Sequence, residues 1–251
     1  MSIDVIDLRS FYASPLGAVA QRFVSGAIEK QWPSCVGLSV LGIGFATPFI
    51  EALRKDTVRT LAFMPAEQGV VNWPSVGPSA SALVDVTALP LPDSCIDRVL
   101  IVHSLEMADQ PHELLSEVWR VLAPGGRMIL VAPNRSGFWA RFDSTPFGHG
   151  RPYSASQLRS LLRDTLFSPV HWGDALYAPP FTRPYLLRAA PAFEAMGRKM
   201  SLPGAGVHII EATKQLYRPA LAGRGARRRA FQLQPAVAAG GRMAESRVTP
   251  A

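Results

Sequence analysis

The residues best placed to do chemistry are small ones. An apolar run, Leu38-Ser-Val-Leu, empties into Gly42-Ile43-Gly44-Phe45-Ala46. Side chains this small let main-chain N–H groups come close to a ligand, and a helix starting just after them points its N-terminus the same way. A lone G-x-G turn is weak evidence. It gains weight from Leu122-Ala-Pro-Gly125-Gly126-Arg-Met-Ile-Leu-Val131, a second tight turn feeding an apolar strand, and from Asp85 at a strand end followed by Leu89-Pro-Leu-Pro-Asp93. Together Val36 to Pro133 reads as a nucleotide-binding half-domain. Further on, the glycine-rich loop from Thr145 to Ser154 carries His149, Arg151 and Tyr153. Loops at strand ends are where binding groups concentrate.

The elements that position these groups follow from periodicity. Ser14-Pro15 is a helix start, and Leu16, Val19, Ala20, Phe23, Val24 and Ile28 recur at helical spacing up to Trp32-Pro33. Short apolar strands are expected at 37–41, 58–64, 82–86, 96–102 and 127–132. A helix from Pro48, with Thr47 as its N-cap, follows the glycine turn, and another spans His112–Leu122. Strands alternating with helices predict a parallel sheet covered on both faces. Ser154-Ala-Ser-Gln157 is a capping box. Beyond it come strands near 170–173 and 207–214 and a Pro- and aromatic-rich insert at 174–203 with a helix near Tyr185–Met200. Phe181, Tyr185, Leu186, Phe193 and Met196 read as the core of that helical cap.

Composition narrows the class. The chain has 251 residues, 48% of them hydrophobic, and a net charge of +7. This fits one α/β domain with an insert and a tail. Residues 218–251 hold seven arginines and one glutamate, so the high isoelectric point describes a tail expected to be disordered, and not a basic face on the fold. Nucleic acid is therefore not an expected partner of the folded part. Cys35 and Cys95 lack metal-ligand spacing, so no metal site is expected and both read as reduced thiols. No apolar run reaches the roughly 18 residues of a membrane span, and Met1-Ser-Ile-Asp lacks the character of a signal peptide. A cytoplasmic protein is the expectation.

At this point the residues resemble the class I S-adenosylmethionine-dependent methyltransferases, in particular their type 11 domains. The resemblance is best over Val36–Pro133 and looser over residues 4–216. Asp85-Val-Thr-Ala-Leu-Pro-Leu-Pro-Asp93-Ser-Cys-Ile-Asp97 is similar to the family's adenine-reading stretch, and Glu117-Val-Trp-Arg-Val-Leu-Ala-Pro-Gly125-Gly126 to the helix and turn before its fifth strand. The resemblance implies a Rossmann-like, seven-stranded, mostly parallel sheet with helices on both faces, spanning residues 1–217. It implies S-adenosylmethionine as cofactor and a small-molecule methyl acceptor. Carried over by position, the cofactor-binding residues are Gly42, Gly44, Ala46, Met64, Asp85, Val86 and His103. Asp85 would accept from the adenine amino group and Val86 would offer its N–H. The substrate side is Tyr12, Glu106, Arg151 and Tyr153, and His103 and His149 are the candidate bases.

Two positions depart from the family pattern. The acidic residue expected two before the first glycine is Val40, and the one expected at the end of the second strand is Met64, with Glu67 three residues on. Each lost carboxylate bond would weaken binding by about 1–3 kcal/mol. These losses are what favour a second reading, a methyltransferase-like fold kept as a catalytically inactive binding or regulatory module. A nucleic-acid-modifying enzyme rests only on the basic tail. A nicotinamide-dependent dehydrogenase lacks support because Thr47 stands at the last glycine of G-x-G-x-x-G.

Overall fold

Parallel pairing of apolar strands sets the architecture. In a computed structural model of the chain, which describes residues 3–200 and 203–216, seven strands form one sheet in the order β3-β2-β1-β4-β5-β7-β6. They are β1 (Ser39–Gly44), β2 (Arg59–Pro65), β3 (Ser81–Val84), β4 (Ile96–Val102), β5 (Leu122–Pro133), β6 (Phe167–Ala175) and β7 (Val207–Lys214). The first five run parallel, and β7 pairs antiparallel with both β5 and β6. The basic tail expected at 218–251 lies outside the described residues.

The pleat sends alternate side chains to opposite faces, so each central strand is apolar on both sides. Val40, Leu100, Val102, Ile129 and Val131 join the core under α1 (Val5–Ala13), α2 (Pro15–Gln31) and α3 (Thr47–Ile50). Leu41, Ile43, Val99, Ile101 and Leu130 join the core under α4 (Pro111–Val121) and α5 (Ala155–Asp164). Helix α4 buries Leu114, Leu115, Val118 and Val121, each contributing about 1.5–3 kcal/mol by leaving water. Ser14 caps α2 by accepting from Gly17 N–H, with Pro15 at the first helical position, and the Ser154/Gln157 capping box opens α5.

Several expectations need correction. The first strand runs on through the glycines to Gly44, because Gly42, Ile43 and Gly44 pair in register with Leu100, Ile101 and Val102 of β4. The helix after the turn is only four residues long, and Ala46, not Thr47, is its N-cap, with no side-chain capping bond. So short a helix offers little macrodipole to a ligand. The fifth strand begins at Leu122 and absorbs the Pro124-Gly125-Gly126 turn. The insert helix is present as α6 (Pro184–Met200), which packs on α2 and β6. Phe181 ahead of it and Tyr185, Phe193 and Met196 on it are exposed, however, and only Leu186 of the five expected core residues is partly buried.

Candidate functional site

The strand order reverses between β1 and β4, and beyond the carboxyl ends of strands at such a switch is where open α/β sheets bind ligands. Gly44 closes β1 with φ +77, and a Cβ there would strike the carbonyl oxygen of Val102 and come within 2.8 Å of the Ser104 Cβ. A Cβ on Gly42 would sit 2.7 Å from that of Ala46 and 2.9 Å from Ile50 Cδ1. Both glycines thus let this chain pack on itself, and Ala46 is buried beneath them. Phe45 is buried too, its ring stacked on Tyr12 at 5.7 Å, so α1 closes over the turn.

At the end of β4 the chain turns sharply. His103 has φ +53, a left-handed conformation uncommon outside glycine, and such backbone gathers at functional sites. Its ring is buried. Nε2 lies 2.8 Å from the Tyr12 hydroxyl and Nδ1 3.2 Å from Glu106 Oε1. With Glu106 accepting from Nδ1–H, Nε2 is left to accept from the Tyr12 O–H, which fixes the tautomer. Burial holds the Tyr12 phenol well above its ordinary pKa, and the Glu106 charge adds to this, so Tyr12 keeps its proton.

Around this histidine lie polar atoms with no partner among the described residues. Gln68 Nε2 donates to the His103 carbonyl at 2.8 Å. Gln68 Oε1, Ser104 Oγ and Glu106 Oε2 are buried and accept nothing. Buried acceptors left unpaired cost about 1–3 kcal/mol each. All three belong to residues at or in contact with the turn after β4.

The β3 end is different. Pro65, Glu67, Val84, Asp85, Val86 and Gln110 are among the residues lining an open cleft of about 310 Å³. Asp85 Oδ1 accepts from Thr87 N–H at 2.8 Å and Thr87 Oγ1 at 2.6 Å, and these bonds lower its pKa. The loop after it is clamped by α4. Arg120 donates to the carbonyls of Leu89 and Leu91 and to Asp93 Oδ1, and pairs with both oxygens of Glu117. Glu117 also accepts from Leu89 N–H. The two sequence segments that carried the family resemblance are thus one physical unit.

Other expected residues fall differently. Met64 is fully buried in the core, its sulfur accepting from Val71 N–H, so it does not line the cleft. Glu67, three residues on, does. Arg151 is exposed, and its tie to the site is through its backbone N–H, which donates to the Glu106 carbonyl at 2.8 Å. Tyr153 is half-buried, its hydroxyl 3.4 Å from the Leu105 carbonyl, and burial raises its pKa. His149 stands apart from His103. Its Nε2–H donates to the Asp143 carbonyl at 2.8 Å, and it lines a second cleft of about 580 Å³ between α1 and the 143–149 loop. Phe147 packs its ring 4.8 Å from that of His103. A further cleft, about 650 Å³ between α2, α6 and β6, shares no lining residue with the glycine turn. We therefore place the site at the strand ends, where strain and unpaired acceptors coincide. Sequence reasoning missed Gln68 and Arg120. Nothing local marks Gln68, whereas the Glu117-x-x-Arg120 spacing on one helix face could have suggested the clamp.

Comparison with known proteins agrees with this fold. The methyltransferase-domain family model matches residues 26–130. A probable S-adenosylmethionine-dependent methyltransferase of Mycolicibacterium smegmatis is 30% identical over 140 residues, 53% of each chain. A ubiquinone/menaquinone biosynthesis C-methyltransferase of Acidiphilium cryptum is 44% identical over 54 residues, 22% of each. The chain thus spans about half the length of the first relative and less of the second. Among solved structures, an S-adenosylmethionine-dependent methyltransferase from Mesorhizobium loti superposes with a TM-score of 0.56 at 14% identity, covering 75% of this chain and 96% of its own. One from Archaeoglobus fulgidus gives 0.56 at 20%, covering 77% and 94%. These two show the shared fold. Residues 26–130 thus match the methyltransferase-domain family, and the sheet as a whole has the fold of these S-adenosylmethionine-dependent methyltransferases.

Proposed function

We propose that this protein is a cytoplasmic enzyme that transfers a methyl group from S-adenosylmethionine to a small-molecule acceptor. The observation that carries the reading is the set of unpaired buried acceptors beside the glycine turn. An ammonium has three donors and no acceptor, and Gln68 Oε1, Ser104 Oγ and Glu106 Oε2 supply three acceptors for the one on the cofactor's amino-acid tail. They stand in for the carboxylate absent at Val40. At the other end, Asp85 and Val86 line the open cleft and suit an adenine edge, with Glu67 beside them for the ribose. The residues therefore fit the group at both ends.

When bound, S-adenosylmethionine supplies an electrophilic methyl group on a positively charged sulfur. The chain's own residues supply alignment and exclude water. Glu106 orients His103, and Nε2 of His103 is the atom that takes a proton where the acceptor must lose one, through the Tyr12 hydroxyl that already contacts it. The cleft between α1 and the 143–149 loop, with His149 on its wall, is assigned to the acceptor. Tyr153 and Arg151 hold the backbone of the loop that borders it. Two relatives carry names from quinone pathways, so hydroxylated aromatic rings head the acceptor screen.

Isothermal titration with S-adenosylmethionine and S-adenosylhomocysteine, with NAD as control, tests this reading. Micromolar binding of both sulfur nucleotides supports it. No binding at millimolar ligand overturns it and favours the inactive module that the residues at Val40 and Met64 suggest.

A further inference from the structure

Helix α6 buries one side and leaves an adjoining side in water. Ala190, Glu194 and Gly197 face inward, with Gly197 against the Tyr177 ring. Tyr185, Phe193, Met196 and Met200 are 62, 39, 49 and 63% exposed. With Ala189 they recur at i, i+4, i+8, i+11 and i+15, a single stripe along a helix of 3.6 residues per turn. Phe181, also exposed, continues it past the N-terminus. Water-facing helix surface is normally polar, and a contiguous apolar patch marks an interaction site.

The charges say what it meets. Arg183, Arg188, Arg198 and Lys199 are all exposed on or next to the helix. Its one carboxylate, Glu194, is turned inward and accepts from the backbone N–H groups of Leu176 and Tyr177. The outer surface of α6 is thus apolar and cationic, with no acidic residue. By helical spacing Arg188 and Lys199 flank the stripe. A second copy of the chain docked face to face would bring these cations together and be repelled. An anionic bilayer satisfies both features, taking the aromatic and methionine side chains into its interface and the cations onto its headgroups.

We propose that α6 is a peripheral membrane anchor that lays its Tyr185–Met200 stripe on an anionic lipid surface. The helix is about 25 Å long at 1.5 Å per residue and lies on the surface. No helix among the described residues is long and apolar enough to cross a membrane. The inference is independent of methyl transfer.

The test is co-sedimentation of the full chain with vesicles of phosphatidylcholine alone and of phosphatidylcholine mixed with phosphatidylglycerol. The expected result is pelleting with the anionic vesicles only, weakened by added salt. The double variant Phe193→Glu/Met196→Glu should lose at least about tenfold in partitioning. Both proteins keep the arginines of 218–251, so equal binding by the two would assign attraction to the tail and overturn the proposal. Failure of the wild type to bind anionic vesicles overturns it as well. So does an α6 variant that dissolves a wild-type dimer in sedimentation equilibrium without changing vesicle binding. Should the double variant lose its circular dichroism signal, Tyr185→Glu, at the most exposed aromatic of the stripe, decides by the same criteria.

Discussion

At the β3 end of the site, Asp85 is exposed and already bonded by Thr87 two residues away. At the β4 end, His103 is buried with a strained backbone, and three acceptors near it have no partner among the described residues. The first end is a local turn that forms from its own sequence. The second exists only because α1, β1, β4 and the loop after β2 converge there, with Tyr12 reaching a histidine 91 residues away. The contrast separates a surface that can change cheaply from an interior whose parts depend on one another.

The largest effect should come from Gly44→Ala. Its Cβ would meet backbone at Val102, which cannot move aside, and its φ of +77 disfavours any side chain. We expect a loss of more than about 4 kcal/mol, or no folded protein, by urea unfolding. Gly42→Ala comes closer than 3 Å only to side chains, Ala46 and Ile50, meets the Leu61 carbonyl at an ordinary 3.7 Å, and should cost less. A stable Gly44→Ala protein would mean that the buried end is looser than described.

Arg120→Met comes next. It removes bonds to two carbonyls and to two carboxylates, and about 2–3 kcal/mol of stability should go with them. Binding at the β3-end cleft, proposed for the nucleoside, should weaken in parallel, because the loop after Asp85 loses its clamp. Unchanged affinity for S-adenosylhomocysteine would show that the clamp serves folding alone.

These particular residues also show what a sequence can reveal. The sheet was legible because its strands are apolar on both faces and short, and because capping at Ser14 and Ser154 is a local matter of spacing. The turn at Asp85, proposed for the adenine, was legible for the same reason. The His103 cluster was legible only in pieces. Tyr12, His103 and Glu106 could each be named, but the bonds joining them, and the part of Gln68, depend on tertiary contacts with no periodic trace. Met64 was misplaced because its position matches a family carboxylate while its chemistry belongs to the core. The stripe on α6 was read as core because apolar residues at helical spacing signal burial by default. The pattern reports a face, and only packing says whether that face is covered.

Glu106→Gln sharpens the contrast at the buried end. Oε1 keeps its place near His103 while the charge is lost. Unfolding free energy should change by no more than about 1 kcal/mol, yet affinity for S-adenosylhomocysteine should fall about 10- to 100-fold, the worth of a charge-assisted bond. Methylthioadenosine, which lacks the amino-acid tail, should bind wild type and variant equally. Asp85→Ala should act in the opposite sense, weakening both ligands by about tenfold and sparing stability. If Asp85→Ala discriminates between the ligands and Glu106→Gln does not, the two ends have been assigned the wrong way round.

The smallest effect is a pH dependence of the clamp. The Arg120 bonds hold the Glu117 carboxyl below the ordinary glutamate value of 4.5, in spite of some burial. A carboxyl with a depressed folded pKa contributes stability that is complete above its unfolded value and is lost as pH falls through its folded one. The stability of the wild type should therefore be level in this respect above about pH 4.5 and decline below it. Glu117→Gln should start lower by about 1 kcal/mol or less, since the pair is partly exposed, and should decline less steeply over the same acid range. Urea midpoints measured across that range compare the two slopes. Parallel slopes would mean that Glu117 titrates alike in the folded and unfolded chain, and the loop after Asp85 would then be held by the Arg120 carbonyl bonds and not by its charge.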